Sequence, residues 1–305
     1  MGVGSLFAYT PVMTLRLALF VLALPLLTAP AALAQDEPDP NPGALTLSAA
    51  ADVVSTYMFR GIRQNVTGLA IQPFADVGVA LFTSDEDASR HITVNVGTWN
   101  SLHTGDTGAN ASHGNMWYES DFYTTLGVGV GGGVTLGATF TAYTSPNGAF
   151  TTVREIAIRA TVDDSGGLGR AALRPYALVA VEFLAEPGGV GQADGGEQAG
   201  TYLEFGAAPG FAASRGGLSI PVKVGLSLSD YYELRGADGS VVGDRRFGFF
   251  SVAAIGTVAL GGTSRFGGFN LHGGVEYQML GDTTRAFNSG EKNKVIGSIG
   301  LGLSY

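Results

Sequence analysis

From about residue 45 to its end the chain alternates apolar and polar residues with a period of two, the mark of strands whose two faces meet different surroundings. In Phe269 to Met279, Leu271, Val275, Tyr277 and Met279 share a face with Phe269 and Gly273, while Asn270, His272, Glu276 and Gln278 share the other with Gly274. The last segment sets Val295, Ile299, Leu301, Leu303 and Tyr305 against Ile296, Ser298, Gly300, Gly302 and Ser304. Gly133 to Tyr143 and Leu218 to Leu228 repeat the pattern, and 247–260 is apolar on both faces, so its sides stay unassigned. About twelve such segments follow one another: 45–59, 69–82, 91–101, 117–130, 133–145, 151–162, 172–185, 200–208, 217–229, 246–260, 266–280 and 293–305. Many run longer than the roughly 5–6 residues of ordinary strands and suit the roughly 9–11 of a tilted membrane-crossing strand. Short connections alternate with longer polar ones, as in an outer-membrane barrel. Alternation alone does not tell inside from outside, so a soluble sandwich is the rival; strand length decides against it. The expectation is all-β: a transmembrane up-and-down antiparallel barrel of about 12 strands, closed because lipid satisfies no backbone group.

Composition narrows this further. The 305 residues carry a net charge of -9 and a pI near 4.8, which argues against nucleic acid as a partner. The absence of cysteine excludes disulfides and thiolate metal sites. The 47 glycines show no collagen period and lie inside apolar segments, where they would leave lumen space and ease curvature. Gly127 to Gly132 contains G-x-G-x-x-G, but the next segment alternates as a strand, so no dinucleotide site, and no cofactor, is expected. Arg16, the apolar run Leu17 to Leu27 and Ala32-Leu33-Ala34 read as a signal peptide over 1–34, with Met1 or Met13 as the start. Residues 35–44 read as a mobile leader to a barrel over 45–305.

On the polar face fall Asp52, Asp76, Glu119, Asp121, Glu155, Glu182, Glu204 and Glu276, against Arg60, Arg159, Arg174 and Lys223. These charges suggest a cation-leaning aqueous channel for small solutes; an internal ion-pair network holding a narrow barrel shut fits them equally well. Aromatics near strand ends (Tyr57, Phe59, Phe82, Trp99, Trp117, Tyr118, Tyr231, Tyr232, Phe266 and Tyr305) are expected as girdles at the membrane–water boundaries. A lipid hydrolase is a weaker alternative, resting on Ser101 with His103 or Ser112 with His113, and these histidines make a metal site weaker still. A structural or adhesive barrel without transport is the third class.

Ala51 to Gln64 (ADVVSTYMFRGIRQ) resembles the opening motif of the TorF-type porins, S-x-Y-x-F-R-G-x-x-Q, matching at Ser55, Tyr57, Phe59, Arg60, Gly61 and Gln64. The rest of the chain matches only in architecture. The resemblance implies an outer-membrane barrel of porin type and no particular substrate. By parity, Leu47, Val53, Tyr57 and Phe59 would face lipid, Arg60 would point into the barrel mouth, and Gly61 would begin the first outer turn. The tail Ile299, Leu301, Leu303 and Tyr305 is similar to the signal that such barrels present to the barrel-assembly machinery. Expected partners are thus outer-membrane lipid, that machinery and small solutes, in the bacterial outer membrane after cleavage near Ala34.

Overall fold

The computed structural model describes residues 7–9, 19–21, 44–107, 116–184, 199–236, 238, 240–261 and 267–305. The expected signal peptide and leader lie outside these, apart from Ala44 and a short antiparallel pair, Phe7–Tyr9 with Leu19–Val21. Phe266, Ser112 and His113 also lie outside them.

Twelve strands form the wall: β1 (Leu45–Val54), β2 (Ala70–Thr83), β3 (Arg90–His103), β4 (Trp117–Gly131), β5 (Val134–Thr144), β6 (Val153–Val162), β7 (Tyr176–Leu184), β8 (Thr201–Ala207 and Gly210–Ala213), β9 (Gly216–Ser219 and Val222–Ser229), β10 (Phe247–Ala259), β11 (Gly268–Leu280) and β12 (Asn293–Ser304). Each pairs antiparallel with its neighbours in sequence, and β12 closes on β1 from Ser298 opposite Val54 to Ser304 opposite Ser48. Tyr305 completes the seam, exchanging backbone hydrogen bonds of 2.8 Å with Leu47. Closure removes the unpaired edge of an open sheet.

Proline explains where the ladder breaks. Pro209 and Pro221 have no N–H to give, and they split β8 and β9 side by side, with Ile220 N–H donating to the Pro209 carbonyl across the gap. Pro73 does the same within β2, where pairing to β3 passes from Ile71 directly to Phe74.

Burial settles the direction of the alternation. Val77 and Val79 on β2, Leu126 on β4, Ile156 and Ile158 on β6, Leu271, Val275 and Tyr277 on β11 and Val295, Ile299 and Leu301 on β12 are exposed, while the residues of the opposite face, Asp76, Thr125, Glu155, Arg159, His272 and Gln278 among them, are buried. Water would penalise so continuous an apolar band, and hydrocarbon would not, so the barrel is built to sit in a membrane. Among the described residues no helix is long and apolar enough to cross one. On β10, Phe249, Ser251, Ala253 and Ile255 face inward, which assigns the segment that is apolar on both faces.

Two expectations are corrected. The first strand ends at Val54, not near Phe59, and the chain then leaves the wall. Inner-face glycines do not leave empty space either. A Cβ would lie 2.1 Å from the His91 ring at Gly129, 2.1 Å from the Tyr232 ring at Gly248 and 2.3 Å from the Phe249 ring at Gly225. These glycines give room for aromatic rings that lie flat across the wall.

Candidate functional site

The segment between β1 and β2 folds into the lumen as a small hairpin, Met58–Phe59 against Ile62–Arg63. Arg60 and Gly61 form its two-residue turn, with φ of 45° and 84°. Positive φ at both central positions is the type I′ geometry that suits the twist of a tight hairpin. Gly61 takes this conformation without strain, and an added Cβ would stand 3.1 Å from Phe249 on the opposite wall. Tyr57, Phe59, Arg60, Ile62, Gln64 and Asn65 are all buried. Tyr57 and Phe59 are therefore lumen residues and not a lipid girdle.

Contacts from five other segments hold the hairpin. The Arg60 guanidinium donates to both carboxylate oxygens of Glu155 on β6, at 2.6 and 2.9 Å, and to the Tyr231 hydroxyl at 2.8 Å. It lies 4.1 Å from the Tyr202 ring centre and 5.3 Å from that of Tyr231. The Tyr232 hydroxyl donates to the Arg60 carbonyl at 2.8 Å. Burial pushes the Tyr231 and Tyr232 phenols well above their usual range, so both stay neutral. Asn288, just beyond the short helix Asp282–Phe287, donates to the Gly61 carbonyl at 2.7 Å and accepts from the Arg63 N–H at 2.8 Å. The Tyr118 hydroxyl donates to Gln64 at 2.5 Å, and the Tyr57 hydroxyl donates to Glu119 at 2.9 Å. Ser55, the remaining motif residue, stays at the rim, its hydroxyl accepting from Gly297 N–H at 2.9 Å. The motif S-x-Y-x-F-R-G-x-x-Q is thus the sequence of an inward plug.

The charges assigned to the polar face fall into groups. Glu155 and Glu182 are direct cross-strand neighbours on β6 and β7, both buried, and Glu155 carries the Arg60 guanidinium. Glu119 and Asp121, two apart on β4, are buried on the same face. Further along the lumen, Glu204 accepts from the Tyr176 and Tyr202 hydroxyls at 2.6 and 2.5 Å, and the Arg159 guanidinium stacks on Tyr176 at 3.6 Å. Asp52 meets the His272 ring at 2.6 Å, Asp76 accepts from Asn95 at 2.7 Å, and Lys223 lies 3.8 Å from Glu276. A narrow cavity of about 10 Å³, room for about one water molecule, remains beside this last pair, lined by Lys223, Glu276, Tyr176 and Ser251. Arg174 differs from its expected place. It precedes β7 in the turn from β6, half-buried, with φ of 48°, and its N–H donates to Asp164 at 2.9 Å.

The girdle is corrected in the same way. Trp99, Tyr118, Tyr231 and Tyr232 point inward with Tyr57 and Phe59, and of the proposed residues that are described only Phe82 and Trp117 are strongly exposed. Buried aromatics outside the motif, Tyr143, Tyr202 and Phe249, complete the plug's seat. The inward parity of Tyr143 and Tyr202 was readable from their strands; the folding-in of Tyr231 and Tyr232 from a loop was not. Ser101 and His103 do make a hydrogen bond, 3.0 Å from hydroxyl to Nε2, but both are buried inside the barrel. His103 Nδ1 has no hydrogen-bond partner among the described residues, so nothing orients the ring as a general base. No cluster of three metal-ligating side chains occurs among the described residues.

No protein-family model and no curated protein sequence matches the chain. Solved structures do match as barrels. An outer-membrane channel from Pseudomonas putida F1 aligns with TM-score 0.49 at 11% identity, over 89% of this chain and 100% of that one. The NanC porin aligns with TM-score 0.42 at 12% identity, over 85% and 98%. Phospholipase A of the Escherichia coli outer membrane aligns with TM-score 0.35 at 10% identity, over 85% and 92%. Likeness this distant carries no argument; the barrel rests on the strand register and its closure.

Proposed function

We propose that the chain is an outer-membrane, porin-like channel of the TorF type, leaning toward cations and closed in this conformation by its own first loop. The supporting observation is the plug: the lumen is filled at the long-loop end by a hairpin outside the wall, seated on carboxylates. A lumen meant only to be solid could be filled from the strands themselves, as in eight-stranded barrels. Here a loop enters and brings a cation to an acidic wall. Residues 1–34 would direct export and be cleaved near Ala34, so the mature protein should begin at Gln35, which its intact mass would show.

Planar-bilayer recording compares the full-length mature barrel with a variant in which 57–65 are replaced by a Gly-Ser linker. Small or rare steps for the first, and larger cation-selective steps for the second, are the expected result. Anion selectivity would refute the cation preference. Silence in both would favour the second reading, a structural or adhesive barrel, to which the packed aromatic interior (Trp99, Tyr143, Tyr202 and Phe249) lends weight. Hydrolysis of lipid is not proposed, because the Ser101 hydroxyl faces the buried interior.

A further inference from the structure

The seat of Arg60 has the chemistry of a receptor site. Glu155 presents a bidentate carboxylate, braced by the Tyr143 hydroxyl donating to the same Oε1 at 3.0 Å. Tyr202 supplies an aromatic face and Tyr231 a hydroxyl acceptor. Glu182 lies directly across the ladder from Glu155, and like charges in that position repel unless a cation sits between or over them. A bidentate carboxylate with stacked rings is the arrangement that selects a planar guanidinium over a spherical ion.

The way Arg60 uses the site matters as much. All of its side-chain hydrogen bonds are made by Nη1 and Nη2. Its Nε, the atom nearest the chain, has no hydrogen-bond partner among the described residues. The site therefore grips the free end of the guanidinium, the part a solute would share, and makes no use of the link to the backbone. We propose that the recess of Glu155, Tyr202 and Tyr231 is a binding site for guanidinium-type organic cations, occupied here by the chain's own Arg60. Arg60 is then a tethered competitor, and a solute that takes its place frees the plug. This deepens the channel reading and rests on it for its consequence, though not for the binding itself.

The chain contains two tryptophans, which makes the test simple. Trp99 is buried beneath the plug, its ring 5.3 Å from that of Tyr57, whereas Trp117 is exposed. In a Trp117→Phe background, Trp99 emission reports the plug's seat. Methylguanidinium chloride is titrated against sodium chloride at matched ionic strength, with the full-length mature barrel in lipid vesicles. With Arg60→Ala the response should saturate, and sodium should not reproduce it. Adding Glu155→Gln should weaken it by about tenfold or more, since a charge-assisted bidentate contact is lost. Tyr231→Phe, which keeps the ring, should weaken it less, and guards against a Glu155 variant that does not fold. With Arg60 intact, half-saturation should need about tenfold more methylguanidinium, because the tether holds Arg60 at an effective concentration in the millimolar range. Equal responses to the two salts, or equal half-saturation with and without Arg60, would overturn the assignment. Bilayer recording of Arg60→Ala separates the two readings. A saturable titration without current sinks the channel and leaves the site, while current with no preference for methylguanidinium sinks the site and leaves the channel.

Discussion

At the scale of the residue, the turn Arg60-Gly61 determines whether the plug forms. A left-handed backbone costs a side-chain-bearing residue about 1–2 kcal/mol, and at Gly61 the new Cβ would also meet Phe249. Gly61→Ala should therefore loosen the plug by about 1–2 kcal/mol, read as a red shift of Trp99 emission at a urea concentration that leaves the barrel's circular dichroism unchanged. Tyr232→Phe removes one hydroxyl donor to the Arg60 carbonyl and should cost about 1 kcal/mol by the same readout. A Gly61→Ala barrel with an undisturbed Trp99 would show that the turn does not limit seating. The residues of this motif stood out in the sequence, but their place did not. Extending the parity of β1 put Tyr57 and Phe59 on lipid, and parity holds only while the chain stays in the wall. The usable signal was Gly61 after a charged residue between apolar Phe59 and Ile62, a weaker hairpin cue than Asn-Gly or Asp-Gly because Arg60 is not a turn-forming residue.

At the scale of the element, strands were legible because the period of two persists over ten or more residues in most of them. Eleven of the twelve expected segments overlie observed strands with ends displaced by a few residues, and the first overran by five. The direction of the faces was not legible in the alternation itself, since apolar residues alternate identically whether they meet lipid or a core, and strand length had to supply it. Exposure resolves it: Leu126 on β4 is 46% exposed, between inward Thr125 and Gly127. Leu126→Arg should accordingly cost about 2–4 kcal/mol when the barrel is in lipid, while Leu126→Val should stay within about 1 kcal/mol. Urea titration of the folded fraction in vesicles measures both. A neutral Leu126→Arg would contradict a lipid-facing β4.

At the scale of the whole molecule, the question is what space the wall encloses. Following the registers once around the sheet gives a shear of about 16 residues, hence a strand tilt near 45° and a backbone radius of roughly 12–13 Å. Wall side chains reaching roughly 6 Å inward leave an axial gap on the order of 12 Å, about the width of a two-stranded hairpin with its side chains. The plug is thus the size of the hole, and the fully buried Phe59 and Tyr232 at its boundary show how closely it fits. Removing 57–65 should restore that gap without touching any hydrogen bond of the barrel ladder, since every pair between β1 and β2 lies outside those residues. Liposomes carrying the shortened barrel should swell in monosaccharide, more slowly in disaccharide and little in longer oligosaccharides, as a gap on the order of 10 Å requires. Swelling with the intact chain should be far slower for every sugar. The remaining loops, among them 230–246 with Tyr231 and Tyr232, stay in place in this variant, so equal swelling with and without 57–65 would identify a different closure. Uniform impermeability of the shortened barrel would mean that wall side chains alone fill the interior, and twelve strands would then behave as eight do.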